Sequence, residues 1–269
     1  MSKIIAIANQ KGGVGKTTTA INLSASLAIL SNETLLIDMD PQANATSGFG
    51  IKKEEIVSSI YNVLIDEQLL ENVILPTEIE WCEIVPSGLD LVGAEVELVN
   101  MLARETRLKN ALAKFDKVYD YIIVDCPPSL GLLTVNALVA AHSVIIPIQC
   151  EYYALEGLGQ LLKLIDALKK TLNPNLYVEG VLLTMYDARV NLSGQVIEEI
   201  KKYFGDKVYK TIIPRNVRVA ESPGFGKPVV LYDKNSRGAE AYLNLAKEMA
   251  GNRNEKENNS DGDSLLEVK

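Results

Sequence analysis

The run Lys11-Gly12-Gly13-Val14-Gly15-Lys16-Thr17-Thr18 carries the residue types that hold the phosphates of a nucleotide. A phosphate-binding loop of the form G-x-x-x-x-G-K-[ST] joins a strand to a helix, and its glycines leave backbone N–H groups free to cradle anions at the helix N-terminus. With Gly15 and Lys16 aligned on that pattern, Gln10 stands where the first glycine should be, and Lys11 is one lysine more than the pattern needs. The loop is a variant. Lys16 is placed to reach the β- and γ-phosphates and Thr17 to ligate Mg²⁺, while the N–H groups of Gly12, Gly13, Val14, Gly15, Lys16, Thr17 and Thr18 form the cradle.

Two further segments end in carboxylates. Leu35-Leu36-Ile37-Asp38-Met39-Asp40-Pro41 closes an apolar run with two aspartates and a turn-forming proline. A carboxylate near the γ-phosphate can orient water for in-line attack or hold the metal's water shell; Asp40 is the candidate for the first role and Asp38 for the second. Capping of a helix near Asn44 to Ser47 is the plainer alternative for both. Tyr121-Ile122-Ile123-Val124-Asp125 repeats the arrangement, and Asp125 completes a magnesium site through water.

Positioning these groups calls for strands that end where the polar residues begin. Apolar runs at Lys3 to Ala8, Thr34 to Asp38, Tyr121 to Asp125, Ser143 to Ile148 and Val178 to Leu183 read as strands. Helical spacing covers Thr17 to Leu30, Leu89 to Leu98, Thr106 to Phe115, Leu155 to Thr171, Leu192 to Phe204 and Gly238 to Ala250. Such alternation predicts an α/β fold: a mostly parallel, twisted sheet flanked by helices, with ligands at the carboxyl ends of the strands. The 269 residues support a single domain over 1–250, and the polar segment 251–269 is expected to be a disordered tail. The Ile51 to Pro86 stretch reads as switch-adjacent helices that form a surface for partners.

Composition narrows the function classes. No run of about 18 apolar residues is present and the tail is neither basic nor amphipathic, so the expectation is a cytoplasmic protein without membrane attachment. Cys82, Cys126 and Cys150 lack metal-ligand spacing, and with His142 as the single histidine no His-based triad or multi-histidine metal site can form. Net charge is -8, yet Arg189 to Arg237 holds ten basic and five acidic residues, a local +5 that leaves -13 for the remainder. A polyanion could bind there.

K-G-G-V-G-K-T-T, D-M-D-P-Q-A-N-A-T and I-I-V-D-C-P-P-S-L-G together resemble the ParA/Soj family of partition ATPases, P-loop NTPases with a deviant Walker A loop. The likeness extends through Q-C-E-Y-Y-A-L-E-G, G-V-L-L-T-M-Y-D-A-R, Y-K-T-I-I-P-R-N-V-R and G-K-P-V-V-L-Y-D, about residues 3 to 250, and leans toward the chromosomal Soj branch. The resemblance implies ATP with Mg²⁺, a slow ATPase, and a homodimer that sandwiches two nucleotides. In it Lys11 crosses to the partner's phosphates and Asp40 promotes hydrolysis. Pro214, Asn216 and, more weakly, Met185 would line the adenine pocket, with Glu151 at the dimer-facing nucleotide edge. Arg189 and Arg218 match positions that bind double-stranded DNA without sequence preference. Nucleoid association, a centromere-binding partner of the ParB/Spo0J type, and a link to replication initiation or sporulation are further implications. A MinD-like membrane-cycling ATPase shares the loop and the dimer logic and is the alternative; a metabolic ligase or reductase is a third.

Overall fold

A computed structural model describes residues 2–151 and 158–263, with side chains undescribed at 191–193 and 252–263. Eight strands among them form one sheet: β1 (Lys3–Ile7), β2 (Thr34–Asp38), β3 (Leu75–Pro76), β4 (Cys82–Val85), β5 (Tyr121–Asp125), β6 (Ser143–Gln149), β7 (Tyr177–Tyr186) and β8 (Val208–Pro214). Their order is β3-β4-β2-β5-β1-β6-β7-β8, parallel throughout except for β3 against β4.

Central strands of a sheet covered on both faces are apolar at nearly every position, and their two-residue period sorts the side chains between layers. Ala6, Ile37, Val124 and Ile146 enter one core, whereas Ile5, Ile7, Leu36, Ile123 and Ile145 enter the other. The first core is closed by α3 (Ile60–Leu64), α4 (Leu91–Leu98), α5 (Arg107–Ala113), α6 (Leu132–Ala140), α7 (Leu158–Thr171) and α8 (Asn191–Phe204). The second is closed by α1 (Lys16–Ile29), α2 (Asn44–Gly48), α9 (Val217–Glu221), α10 (Val229–Tyr232) and α11 (Arg237–Asp263). α1 lies between the sheet and α11, so Leu23 and Leu27 are wholly buried. Truncating either to alanine costs about 2–5 kcal/mol.

The helix after β1 crosses to one face and the helix after β5 to the other. Neighbouring strands whose crossovers part in this way open a crevice at their carboxyl ends. The phosphate loop follows β1 and Asp125 ends β5, so both groups fall at that crevice.

Three features depart from expectation. The Ile51 to Pro86 stretch holds α3 and two short 3-10 turns but also β3 and β4, which complete one edge of the sheet. β8 adds a strand at the opposite edge, past the last one expected. α11 carries helical backbone to Asp263, into the segment expected to be a tail without structure; extending a helix costs far less than starting one, so a packed first half can carry a polar second half. Leu155, the expected start of α7, and residues 264–269 lie outside the described residues.

Candidate nucleotide site

The loop after β1 is pinned from strands on its right. Asn9, 4% exposed, donates from Nδ2 to the Pro147 carbonyl on β6 at 2.7 Å, and its Oδ1 accepts from the Lys11 N–H at 3.0 Å. The Thr184 hydroxyl on β7 donates to the Val14 carbonyl at 2.8 Å. Gly13 and Gly15 have φ of +74° and +88°, in the left-handed region that glycine enters without strain, and Gly15 leads directly into α1. A Cβ at Gly15 would stand 3.8 Å from the Thr184 side chain and 4.0 Å from the Met185 methyl, so β7 closes over the loop.

Lys16 is 6% exposed and its Nζ donates to the Lys11 carbonyl at 3.0 Å, folding the side chain back across the loop. Burial lowers its pKa, opposed by Asp125, Cys126 and Asp40. A buried ammonium within the loop is matched to phosphate oxygens in charge and in hydrogen-bond donors. Asn22 holds the helix that carries it: Nδ2 donates to the Thr18 carbonyl at 2.8 Å and Oδ1 accepts from Val229 N–H at 2.7 Å.

Asp38 and Asp125 end neighbouring parallel strands in register and are both fully buried. Burial raises the Asp125 pKa well above the carboxylate range, and the Asp38 charge raises it further; the Thr17 hydroxyl and Lys16 oppose. The Thr17 hydroxyl acts on Asp125 from just beyond hydrogen-bond geometry, and no group among the described residues makes a hydrogen bond within 3.5 Å to either Asp125 oxygen. A buried carboxylate without partners, beside a threonine at the start of α1, fits a hydrated divalent cation. Mg²⁺ keeps much of its water and takes few protein ligands, so a threonine and one or two carboxylates acting through water are enough to hold it.

Asp38 is engaged differently. Its Oδ2 accepts from the Thr46 N–H at 2.8 Å and the Thr46 hydroxyl at 2.7 Å, and its Oδ1 accepts from the Asp40 N–H at 3.1 Å. Burial pushes it up to about 6 against those hydrogen bonds. It ties down the loop that leads into α2, the capping alternative, while remaining next to Asp125. Asp40, 7% exposed, accepts the Gln42 N–H at 2.9 Å, and its carbonyl accepts from the Ser87 hydroxyl at 2.7 Å. Ser87 N–H in turn donates to Thr46 Oγ1 at 3.0 Å. Asp38, Asp40, Thr46 and Ser87 thus form one network holding the switch segment.

The remaining candidates share the same rim. Met185 has φ +52° near the end of β7, Pro214 ends β8, and Asn216 caps α9 by accepting the N–H groups of Arg218 at 2.9 Å and Val219 at 3.3 Å. Glu151 follows β6 and meets Arg215 at 3.4 Å. Gly12 faces the switch loop after β5, where Pro128 Cβ stands 4.0 Å from the position of a Cβ on Gly12. Arg189 is 86% exposed and bound by Asp187 through two contacts of 2.9 and 2.6 Å; Arg218 lies 3.2 Å from Glu221 and 3.3 Å from Asp233.

Asn9, Thr46, Ser87 and Thr184 support the site and were not read from the sequence. Each is a buried polar residue at or beyond a strand's carboxyl end, a signal that has meaning once the strand ends are known.

The family model for an AAA domain matches residues 2–178. Over 252 residues the chain is 60% identical to the sporulation initiation inhibitor protein Soj of Bacillus subtilis, covering 94% of this chain and 100% of that protein. It is 57% identical to the chromosome partitioning protein ParA of Myxococcus xanthus, over 93% of this chain and 88% of the relative. Among solved structures, a cobyrinic acid a,c-diamide synthase from Mycobacterium smegmatis with bound ATP analog and magnesium superposes with a TM-score of 0.82 at 37% identity, covering 92% of this chain and 93% of the other. A putative plasmid partition protein from Borrelia burgdorferi bound to AMPPNP gives 0.78 at 27%, over 95% and 100%. With the deviant loop, its two strand-end aspartates and this sheet order, the chain belongs to the ParA/Soj family of chromosome-partitioning ATPases.

Proposed function

We propose that the protein is an ATP-driven switch for chromosome or plasmid partition: ATP with Mg²⁺ brings two copies together, the dimer binds DNA through its phosphates, and a partner of the ParB/Spo0J type triggers hydrolysis and release. The observation that carries this reading is the pairing of a buried phosphate loop, Lys16 with its rigid glycines, with the unpartnered Asp125 carboxylate beside Thr17. Thr17 would hold Mg²⁺ directly and Asp125 and Asp38 through its waters, and the ion bound there would supply the charge neutralisation that phosphoryl transfer needs. Asp40, fixed by Ser87, orients the attacking water.

Dimerisation reads the γ-phosphate through Lys11. Two facing nucleotides concentrate negative charge, and a lysine reaching across offsets it only when the phosphates are there. α4 and the turn before it add an apolar surface on this side of the molecule: Leu89 of the turn and Val92 and Val96 of the helix are 61, 57 and 71% exposed, and Glu95 of α4 packs against Gly131 of the switch loop. Intrinsic hydrolysis is slow until the partner acts, since activators of such switches contribute roughly 10³ to 10⁵ in rate. Arg189 and Arg218 bind DNA; their carboxylate partners exchange for phosphate on binding. Localisation follows as cytoplasmic and nucleoid-associated, and a link to sporulation or replication initiation belongs to the same reading.

The 37% identity to the cobyrinic acid a,c-diamide synthase supports a second reading, a metabolic ligase. ATPase assays separate the two. Stimulation by DNA together with a ParB-type protein supports the switch, and stimulation by a small-molecule carboxylate and an amide donor instead refutes it. No helix among the described residues is long and apolar enough to cross a membrane, and ATP-dependent sedimentation with liposomes would point to the MinD-like alternative.

A further inference from the structure

Topology divides the basic segment that the sequence presents as one. Arg189, Arg215 and Arg218 follow the carboxyl ends of β7 and β8. α8 runs back along the sheet between those strands, so Lys201 and Lys202 in its last turn, and Lys207 in the following 3-10 turn, sit at the opposite end. Lys169 and Lys170, in the last turn of α7, reach that end as well. Lys169 and Lys207 line one cavity of about 220 Å³ together with Tyr203 and Asp166.

The two ends differ in compensation. Arg189, Arg215 and Arg218 each have a carboxylate within 3.4 Å. Among the described residues no carboxylate lies within ion-pair distance of Lys169, Lys170, Lys201, Lys202 or Lys207. Lysines in a last helical turn complement the helix dipole, which explains each one singly. It does not explain why two helices and a turn deliver five to one place, beside a tyrosine that is 67% exposed.

We propose that this lysine end is a second contact zone for the phosphate backbone of double-stranded DNA, an inference that rests on the DNA-binding reading above. β7 has ten residues, which sets the two basic ends about 30 Å apart. One turn of duplex measures about 34–36 Å, so DNA lying along the β7–β8 side presents the same phase of its backbone to both ends. Lysine suits this role as a flexible point charge that neutralises phosphate without reading bases, and the Tyr203 side chain is exposed for a phosphate or sugar contact. Asp166 and Asp206 lie nearby and Glu198 and Glu199 one turn back on α8, so against five lysines the zone keeps a net charge of +1; each lysine that meets a phosphate contributes about 0.9 to the salt slope.

The test compares the full chain with a Lys201→Ala/Lys202→Ala/Lys207→Ala variant, all surface positions, binding a random-sequence duplex in Mg²⁺ and a non-hydrolysable ATP analogue across a salt series. The expected result is an affinity at least tenfold weaker, with a slope flatter by about three units if one copy's lysines meet the duplex and about five if both do, and nucleotide-dependent dimerisation unchanged. Unchanged affinity and slope, with Arg189→Glu still abolishing binding, would overturn the lysine zone and leave the DNA reading standing. Loss of binding to anionic vesicles with DNA binding intact would overturn it in favour of a membrane surface. A wild-type chain that binds no DNA would overturn the reading and the lysine zone together.

Discussion

Thr46→Val tests whether the switch segment is held by the hydrogen bonds to Asp38. Valine keeps the shape of threonine, so the 1%-exposed site loses its hydroxyl without leaving a cavity. Two interactions go with it: the charge-assisted bond to Asp38 at 2.7 Å and the acceptor for Ser87 N–H at 3.0 Å. A bond to a charged group contributes about 1.5–3 kcal/mol and an orphaned buried N–H costs about 1–3, so the loss is on the order of 3–5 kcal/mol at pH 8. Burial pushes Asp38 up to about 6 from the ordinary 3.8, and the Thr46 hydroxyl, ahead of the Thr46 and Asp40 N–H groups, is the strongest of the bonds that hold it down. Without the hydroxyl its pKa rises further. The charge-assisted part of the loss is therefore full above that raised pKa and shrinks as pH falls through 6, where the wild-type carboxylate also takes a proton. Urea unfolding at pH 8 and pH 5 measures it. A change under about 0.5 kcal/mol, or a loss of equal size at both pH values, would refute the role assigned to this network.

Lys16→Ala should abolish binding of a fluorescent ATP analogue, whereas Lys11→Ala should keep binding but lose the nucleotide-dependent dimer in light scattering; identical behaviour of the two would deny Lys11 its separate role. Asp40→Ala should bind ATP and remain a dimer with turnover reduced at least about a hundredfold, a typical weight for a proton-handling group; wild-type turnover would remove Asp40 from the reaction. His142 accepts the Ile4 N–H through Nδ1, and burial together with Lys3 and the N-terminus lowers its pKa. Its contribution to stability is present above pH 6.5 and is lost as pH falls through the lower folded-state pKa. An NMR titration midpoint at or above 6.5 would contradict that.

Much of the site was legible before the fold was known, because its chemistry is written locally. Glycines that need positive φ, a lysine and a threonine at the start of α1, and aspartates at the ends of apolar runs are each tied to one segment, and the sheet brings them together. Less legible was whatever depends on partners distant in sequence. Asn9 supports the loop through Pro147, and Thr184 through Val14, contacts that span 138 and 170 positions. β4 is four residues long and β8 interleaves Lys210 and Thr211 with its apolar residues, so neither shows the continuous apolar run of a central strand. The basic segment misled by adjacency: residues close in sequence went to opposite ends of the sheet once α8 reversed the chain direction.

Binding of the purified chain to a random-sequence duplex, in Mg²⁺ with a non-hydrolysable ATP analogue or with ADP at two salt concentrations, tests the central claim most directly. Dimerisation that doubles about three phosphate contacts to about six steepens the salt slope by close to three units, so binding should be strong and salt-sensitive with the ATP analogue and weak with ADP. Equal binding in the two nucleotide states, or none in either, would contradict an ATP-controlled DNA switch.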